Sequence, residues 1–346
     1  MLLTSADALT GAYDLAMLDL DGVVYIGREA VPGAAGHIAG AREAGMRVAF
    51  ITNNASRSAA VVAEHLRELG VTARTEDVVT SAQAAARLLV ERFGPGARVL
   101  CLGGPGLESA LEEAGLVPVA VEADAVAAVS GYGPDLRWHE IMRAAVRVRD
   151  GLPWVASNTD LTIPTSYGTA PGHGVLVEMM ERYTGVTPQV AGKPARPLLD
   201  ETVRRVGGRR PLMVGDRLDT DIEGARNAGV DSLLVLTGVT GLAELVAARP
   251  GERPSYLARD LGGLSVAHQA PERVPDGWRL GGWLGRVEDG RLVVEPVRSG
   301  PDDQASLSVD DWWRVAAVAA WQHQDETGAV PDIGAARVPG TGSGAR

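Results

Sequence analysis

The chain has 346 residues, 33 basic and 44 acidic, for a formal net charge of −11, and is 45% hydrophobic but only 4% aromatic. That balance, with no basic run to offset it, argues against nucleic acid and anionic membrane as partners, and no apolar run reaches the ~20 residues of a bilayer span. Cys101 is the only cysteine, so no internal disulfide forms; with a start lacking a charged signal region, this predicts a cytoplasmic protein of two or three domains.

Tyr13 to Leu18 is a short apolar run that predicts a buried strand, and it empties into Asp19-Leu20-Asp21-Gly22. Carboxylates at i and i+2 lie on one side of an extended chain and repel unless a hard cation sits between them, so this is a divalent-metal site or an acidic turn. Gly22 permits a sharp turn at the strand's carboxyl end, where open α/β sheets bind ligands. A helix follows over residues 33–45, then a second strand, Arg47 to Ile51, ending in Thr52-Asn53-Asn54. A hydroxyl followed by backbone N–H groups can cradle phosphate, although Thr-Asn-Asn is also ordinary turn chemistry.

The stretch from Thr52 to Lys193 is domain-sized. It alternates again: strand Arg98 to Leu102, helix 106–114, strand Ala125 to Ser130, helix 136–150 and strand Trp154 to Ser157. This predicts an α/β cap inserted over residues 82–188, a lid that excludes water and carries substrate-reading side chains. Asn158-Thr159-Asp160 precedes Pro164, and Pro171-Gly172-His173-Gly174 opens an apolar helix. Asp160 suits hydroxyls, and His173 at a helix start is expected to titrate near neutral pH, unless 171–174 merely turns the chain.

Lys193, in Gly192-Lys193-Pro194, is the only lysine among the 33 basic residues. An arginine-biased chain can spare lysine, so its survival points to a place where a compact ammonium is wanted; compositional drift is the alternative. Acylating reagents are then expected to reach only Lys193 and the amino terminus. Pro211 to Val214 predicts a third strand, ending in Gly215-Asp216, with Asp221 just before a helix, Ile222 to Ala228, closed by Gly229.

Residues 263–333 differ in character and hold five of the seven tryptophans: Trp278, Trp283, Trp312, Trp313 and Trp321. Leu280 to Gly285 and Arg291 to Val297 around Asp289-Gly290 predict a hairpin, and Ser308 caps a helix from Val309 to about His323. Clustered tryptophans predict the core of a small module, too small to be stable alone and docked on the main body or a neighbour. Gly334 to Arg346 has little to bury and is expected to be mobile.

In chain order, Asp19-x-Asp21-Gly22, Thr52, Lys193 and Gly215-Asp216 with Asp221 resemble the haloacid dehalogenase superfamily of phosphohydrolases, over residues 12 to about 262. The placement of the insertion, Asn158-Thr159-Asp160 with Pro164, and Pro171-Gly172-His173-Gly174 resemble the branch with 4-nitrophenyl, sugar and glycerol-phosphate phosphatases, and the resemblance makes those two segments, Asp160 and His173 above all, the candidate substrate contacts. The resemblance implies an α/β fold: a Rossmann-like parallel-sheet core (1–81 and 189–262) with an inserted α/β cap and a small C-terminal appendage. It implies a Mg²⁺-dependent phosphomonoesterase for a small phosphorylated metabolite, glycerol 3-phosphate first, then phosphoglycolate or a sugar phosphate, and allows a homodimer. On it, Asp19 is the nucleophile and Asp21 the general acid and base, with the backbone carbonyl of Asp21 on the metal. Thr52 and Lys193 hold the phosphoryl group, with Gly22, Asn53 and Asn54 around it, and Asp216, backed by Asp221, anchors Mg²⁺. Such a set suits phosphoryl transfer, which needs in-line placement and neutralised equatorial oxygens. The alternative is a non-catalytic sensor of phosphorylated metabolites signalling through the C-terminal module. Asp21 argues against it, because a pure binder has no use for a general acid.

Overall fold

The computed structural model describes residues 1–165, 168–297 and 307–339. Leu15–Leu18 is buried at every residue, as a strand covered on both faces of a parallel sheet must be. It sits centrally in a six-stranded, all-parallel sheet ordered Tyr256–Ala258, Asp231–Val235, Pro211–Gly215, Leu15–Leu18, Arg47–Thr52, Val78–Thr80. From Leu15–Leu18 the chain builds the sheet outward through Arg47–Thr52, then returns to build the other side through Pro211–Gly215. The strand order therefore reverses at the centre, and the carboxyl ends of these three strands form the crevice where such sheets bind ligands.

The insertion forms a second all-parallel sheet, ordered Gln189–Val190, Trp154–Ala156, Ala127–Ser130, Arg98–Leu102, Val117–Val119. Helix Ser81–Phe93 leads into it. Thr80 caps that helix reciprocally with Gln83. Its small side chains Ala82, Ala85 and Ala86 share one apolar cluster with Met17 and Ile51 of the first sheet and Val99 and Val129 of the second. An antiparallel pair, Thr162–Thr165 with Gly168–Pro171, precedes helix His173–Thr184.

The C-terminal hairpin is part of a four-stranded antiparallel meander: Glu272–Val274, Gly277–Leu280, Trp283–Glu288, Arg291–Pro296. The run from Leu280 to Gly285 is not one strand: Gly281-Gly282 turns the chain, with Gly281 at φ 52°, so that Leu280 pairs with Trp283. Helix Val309–Thr327, capped by the Ser308 side chain, runs about one turn past the expected end. It docks on the edge strand of the main sheet and on the short helix Leu242–Val246: Arg314 Nε donates to the Leu257 carbonyl at 3.0 Å, and Trp321 Nε1 to the Leu245 carbonyl at 2.8 Å. Val318 and Trp321 share a cluster with Leu234 and Leu257 of the main body. The chain from Gly334 to Pro339 departs from the expected mobility, because Ala336 and Val338 pack against the cluster around Leu280 and Trp312. Residues 340–346 lie outside the described residues.

Trp321 is 0% exposed and holds the module to the body. Trp321→Ala is expected to cost roughly 3–5 kcal/mol, the range for emptying a large aromatic from a core. Denaturant melts check this; a loss under about 1 kcal/mol would mean that the helix is not part of the main cooperative unit.

Candidate active site

Each of the three central strands delivers one loop to the crevice. Asp19 follows the first, and its N–H donates to the Val214 carbonyl of the neighbouring strand at 2.9 Å. Lys193 is buried, and its Nζ donates to Asp19 Oδ1 at 2.5 Å and to Asp221 Oδ1 at 2.6 Å. A π-helical turn, Leu218–Ile222, carries Asp221, whose other oxygen accepts from the Arg217 N–H at 3.1 Å. Carboxylate oxygens of Asp19, Asp216 and Asp221 lie within 4.8 Å of one another.

Three carboxylates against one ammonium leave two negative charges in a buried site. Asp216 Oδ2 accepts from the Val239 N–H at 2.7 Å, but Oδ1 is buried with no hydrogen-bond partner. Leaving such an acceptor unmatched costs about 1–3 kcal/mol or more for a charged group. An orphaned oxygen, an all-oxygen donor set and an unbalanced double charge fit a hard divalent cation. Two glycines permit the approach of the surrounding loops: a Cβ on Gly22, at φ 80°, would lie 2.4 Å from Asp216 Oδ2, and one on Gly238 2.0 Å from the same atom.

Burial pushes the Asp19 carboxyl well above the usual carboxylate range; Lys193 opposes this, while Asp221 and Asp216 add to it. Burial, then Asp221, lifts Asp216 to about 6. Burial also opposes the charge of Lys193, but Asp19 and Asp221 outweigh it and hold the ammonium above its ordinary range. An acylating reagent therefore meets a buried cation rather than a free amine, and the selective labelling expected from composition does not follow.

Asp21 does not join Asp19 around a cation through its side chain. The extended geometry stops at Leu18, Gly22 N–H donates to the Tyr25 carbonyl at 2.8 Å, and Asp21 lies in the resulting turn, more exposed than Asp19 but within the field of Lys193. Its surroundings still raise its carboxyl by burial, with Arg57, Lys193 and His65 pulling the other way. Arg57, the first of those charges, was not singled out in the sequence, where arginine is too common to stand out.

Thr52 is buried at the end of its strand, and its Oγ1 accepts from the Asn54 N–H at 3.1 Å, which leaves the hydroxyl proton to donate elsewhere. That Asn54 N–H is accordingly not a free cradle amide. The Asn54 side chain closes its own turn, Oδ1 accepting from Ser56 N–H at 2.8 Å and Ser56 Oγ at 2.7 Å. Asn53 commits its side-chain amide to Lys193 and Asp160, which leaves its backbone N–H as the group that can serve the phosphate cradle beside Thr52. Asp160 is brought to this cluster, Oδ1 accepting from Asn53 Nδ2 at 2.9 Å, and burial raises its carboxyl.

His173 is buried, its Nδ1 2.9 Å from the Asn158 carbonyl, so the proton sits on Nδ1 and Nε2 is a buried acceptor without a partner. Burial lowers its pKa to about 4, which overturns the expected titration near neutral pH. Because the folded value lies below the ordinary 6.5, protonation opposes folding: the stability tied to the neutral ring is complete above about pH 6.5 and is lost as pH falls toward about 4. His173→Gln is expected to show a shallower fall in melting temperature than wild type between those values, and equal slopes would contradict the assignment.

Two family models match the chain: haloacid dehalogenase-like hydrolase over residues 16–117 and HAD-hydrolase-like over 190–264. The chain is 46% identical over 315 residues to the D-glycerol 3-phosphate phosphatase of Mycobacterium tuberculosis, covering 90% of this chain and 86% of that protein. It is 35% identical over 251 residues to an acid sugar phosphatase of Staphylococcus aureus, covering 72% and 95%. The solved structure of a glycerol phosphate phosphatase from M. tuberculosis in complex with magnesium superposes with a TM-score of 0.80 at 42% identity, over 92% of this chain and 93% of that one.

Proposed function

The chain belongs to the haloacid dehalogenase-like hydrolases, and from that membership we propose that it is a Mg²⁺-dependent phosphomonoesterase whose substrate is glycerol 3-phosphate. The observation that carries the chemistry is the convergence of Asp19, Asp216 and Asp221 around the buried amine of Lys193. Mg²⁺, when held by Asp19, Asp216 and the Asp21 carbonyl with Asp221 behind, supplies charge neutralisation at the phosphoryl oxygens. Lys193 Nζ and the Thr52 hydroxyl bind those oxygens and hold phosphorus in line with the Asp19 carboxylate. Asp19 attacks phosphorus and the ester P–O bond breaks, leaving an aspartyl-phosphate, while Asp21 protonates the departing alkoxide. Asp21 then takes a proton from water, which attacks phosphorus, and Asp19 is regenerated as phosphate leaves.

One observation favours glycerol 3-phosphate over a sugar phosphate. Likeness to the glycerol 3-phosphate phosphatase spans 90% of the chain, C-terminal module included, whereas that to the sugar phosphatase spans 72%. Asp160 brings a partly free carboxylate into the field of Lys193, an acceptor suited to hydroxyls of a small polyol and of a sugar alike.

Phosphate release across a panel of phosphorylated metabolites, with Mg²⁺ or with EDTA, tests this reading. We expect the highest kcat/KM for glycerol 3-phosphate and no turnover in EDTA. A sugar phosphate preferred by tenfold or more would displace the substrate, and no release from any ester would favour the sensor.

A further inference from the structure

We propose that Asn53 is a positioning residue that sets the register of Lys193 and ties it to the cap carboxylate Asp160, so that a hydroxyl held at Asp160 is felt at the phosphoryl-binding amine. The proposal rests on the phosphatase reading above and adds a link between substrate recognition and the lysine.

Three segments distant in the chain meet at this one amide. Asn53 Nδ2 donates to Asp160 Oδ1 at 2.9 Å and to the Lys193 carbonyl at 2.9 Å, while Oδ1 accepts from the Lys193 N–H at 2.8 Å. Both donors and the acceptor of the side chain are thus in use, two of them on the backbone of Lys193 itself. The backbone of Asn53 is pinned as firmly: its carbonyl accepts from Ser81 Oγ at 2.6 Å, at the start of the helix leading to the cap, and from Asn158 Nδ2 at 2.7 Å, in the cap loop. Asn158 Oδ1 in turn accepts from the Asp160 N–H at 3.1 Å. Gly192 makes the close approach possible, since a Cβ there would lie 2.6 Å from Asn53 Oδ1 and 2.6 Å from the Ser157 carbonyl.

The lysine side chain has four rotatable carbons between this anchored backbone and its two carboxylates, so its reach to Asp19 and Asp221 depends on where the backbone is held. A backbone shift of about an ångström is enough to cost roughly a hundredfold in rate. Asp160 Oδ2 has no hydrogen-bond partner among the described residues and is the atom left for a substrate hydroxyl. Aspartate would lose both donations and set a second carboxylate against Asp160, and a smaller side chain would free the lysine turn from the cap.

The test is a double-variant cycle read on two esters. Asn53→Ala, Asp160→Ala and the double variant are assayed with Mg²⁺ on glycerol 3-phosphate and on ethyl phosphate, which carries no hydroxyl, with melting curves alongside. Asn53→Ser provides a smaller change should Asn53→Ala fail to fold. We expect Asn53→Ala to lower kcat/KM about a hundredfold on glycerol 3-phosphate and about tenfold less severely on ethyl phosphate. The double variant should be no more than about threefold worse than Asn53→Ala alone on glycerol 3-phosphate. Equal losses on both esters, or losses that multiply in the double variant, would overturn the link to Asp160; no loss on either would overturn the placement of Lys193. Wild-type release from ethyl phosphate without release from glycerol 3-phosphate would count against the substrate reading alone, and the Asn53 effect on ethyl phosphate would still decide the placement of Lys193.

Discussion

Asp19→Asn is expected to lower phosphate release from glycerol 3-phosphate by roughly 10⁴-fold or more, the scale on which removing a nucleophile acts. The amide keeps the size and shape of the carboxylate but has no charge with which to attack phosphorus. The fold should not suffer. Burial and the neighbouring Asp221 and Asp216 already work against a charge on Asp19, and Lys193 keeps its 2.6 Å bond to Asp221 when Asp19 is neutral. We therefore expect a melting temperature equal to or slightly above that of wild type, so that activity and stability move apart. Malachite-green detection of phosphate with a parallel melt reads both, and phosphate release equal to wild type would remove Asp19 from its role.

Lys193→Met is expected to damage both. The lysine and Asp221 side chains are 3% and 1% exposed, so removing the amine leaves buried carboxylates facing one another without a counter-charge. Breaking such a cluster from one side costs about 3–5 kcal/mol, and loss of the phosphoryl-binding cation should lower kcat/KM by about 10³-fold or more. The sign with pH follows from the charges. Without Lys193 the carboxyls hold their protons more tightly folded than unfolded, so the variant is least impaired at acid pH and loses stability as pH rises. Mg²⁺ should return part of that stability by binding only the folded chain. Lys193→Arg should not rescue activity, because a planar fork cannot place one nitrogen 2.5 Å from Asp19 and 2.6 Å from Asp221 as a tetrahedral ammonium does. Urea melts from pH 5 to 8, with and without Mg²⁺, check this. A variant as stable as wild type at pH 8 without Mg²⁺ would show that the carboxylates do not depend on the amine.

The main sheet and the positions of Asp19, Thr52 and Asp216 are legible because each stands at the end of a short, β-branched or leucine-rich apolar run bounded by turn residues, the pattern of a strand buried on both faces. Lys193 was legible through rarity rather than pattern. What the residues could not convey was how the chain turns between those points. Extended geometry would set Asp19 and Asp21 on one side, but the strand ends at Leu18 and the chain bends at Leu20, between the two. The N–H groups after Thr52 suggest a phosphate cradle, but the Asn54 N–H closes a local turn onto Thr52 Oγ1, and the Asn53 side chain serves Lys193, a partner that only folding brings near. His173 was assigned a neutral-range titration from its residue type, while its pKa is set by burial against the Asn158 loop. Gly238 carries no signal in the sequence beyond being a glycine after a strand, although only a glycine fits against Asp216. Leu280 to Gly285 reads as one apolar run unless Gly281-Gly282 is taken as the turn it forms.

Trapping phosphate on the protein tests the central claim most directly. Asp21→Asn should slow hydrolysis of the intermediate, so that borohydride added during turnover of glycerol 3-phosphate with Mg²⁺ reduces an acyl phosphate to the alcohol. Peptide mass spectrometry is then expected to find homoserine at position 19, dependent on substrate and Mg²⁺. Reduction at another carboxyl, or none at Asp19 while the ester is being consumed, would contradict attack by Asp19.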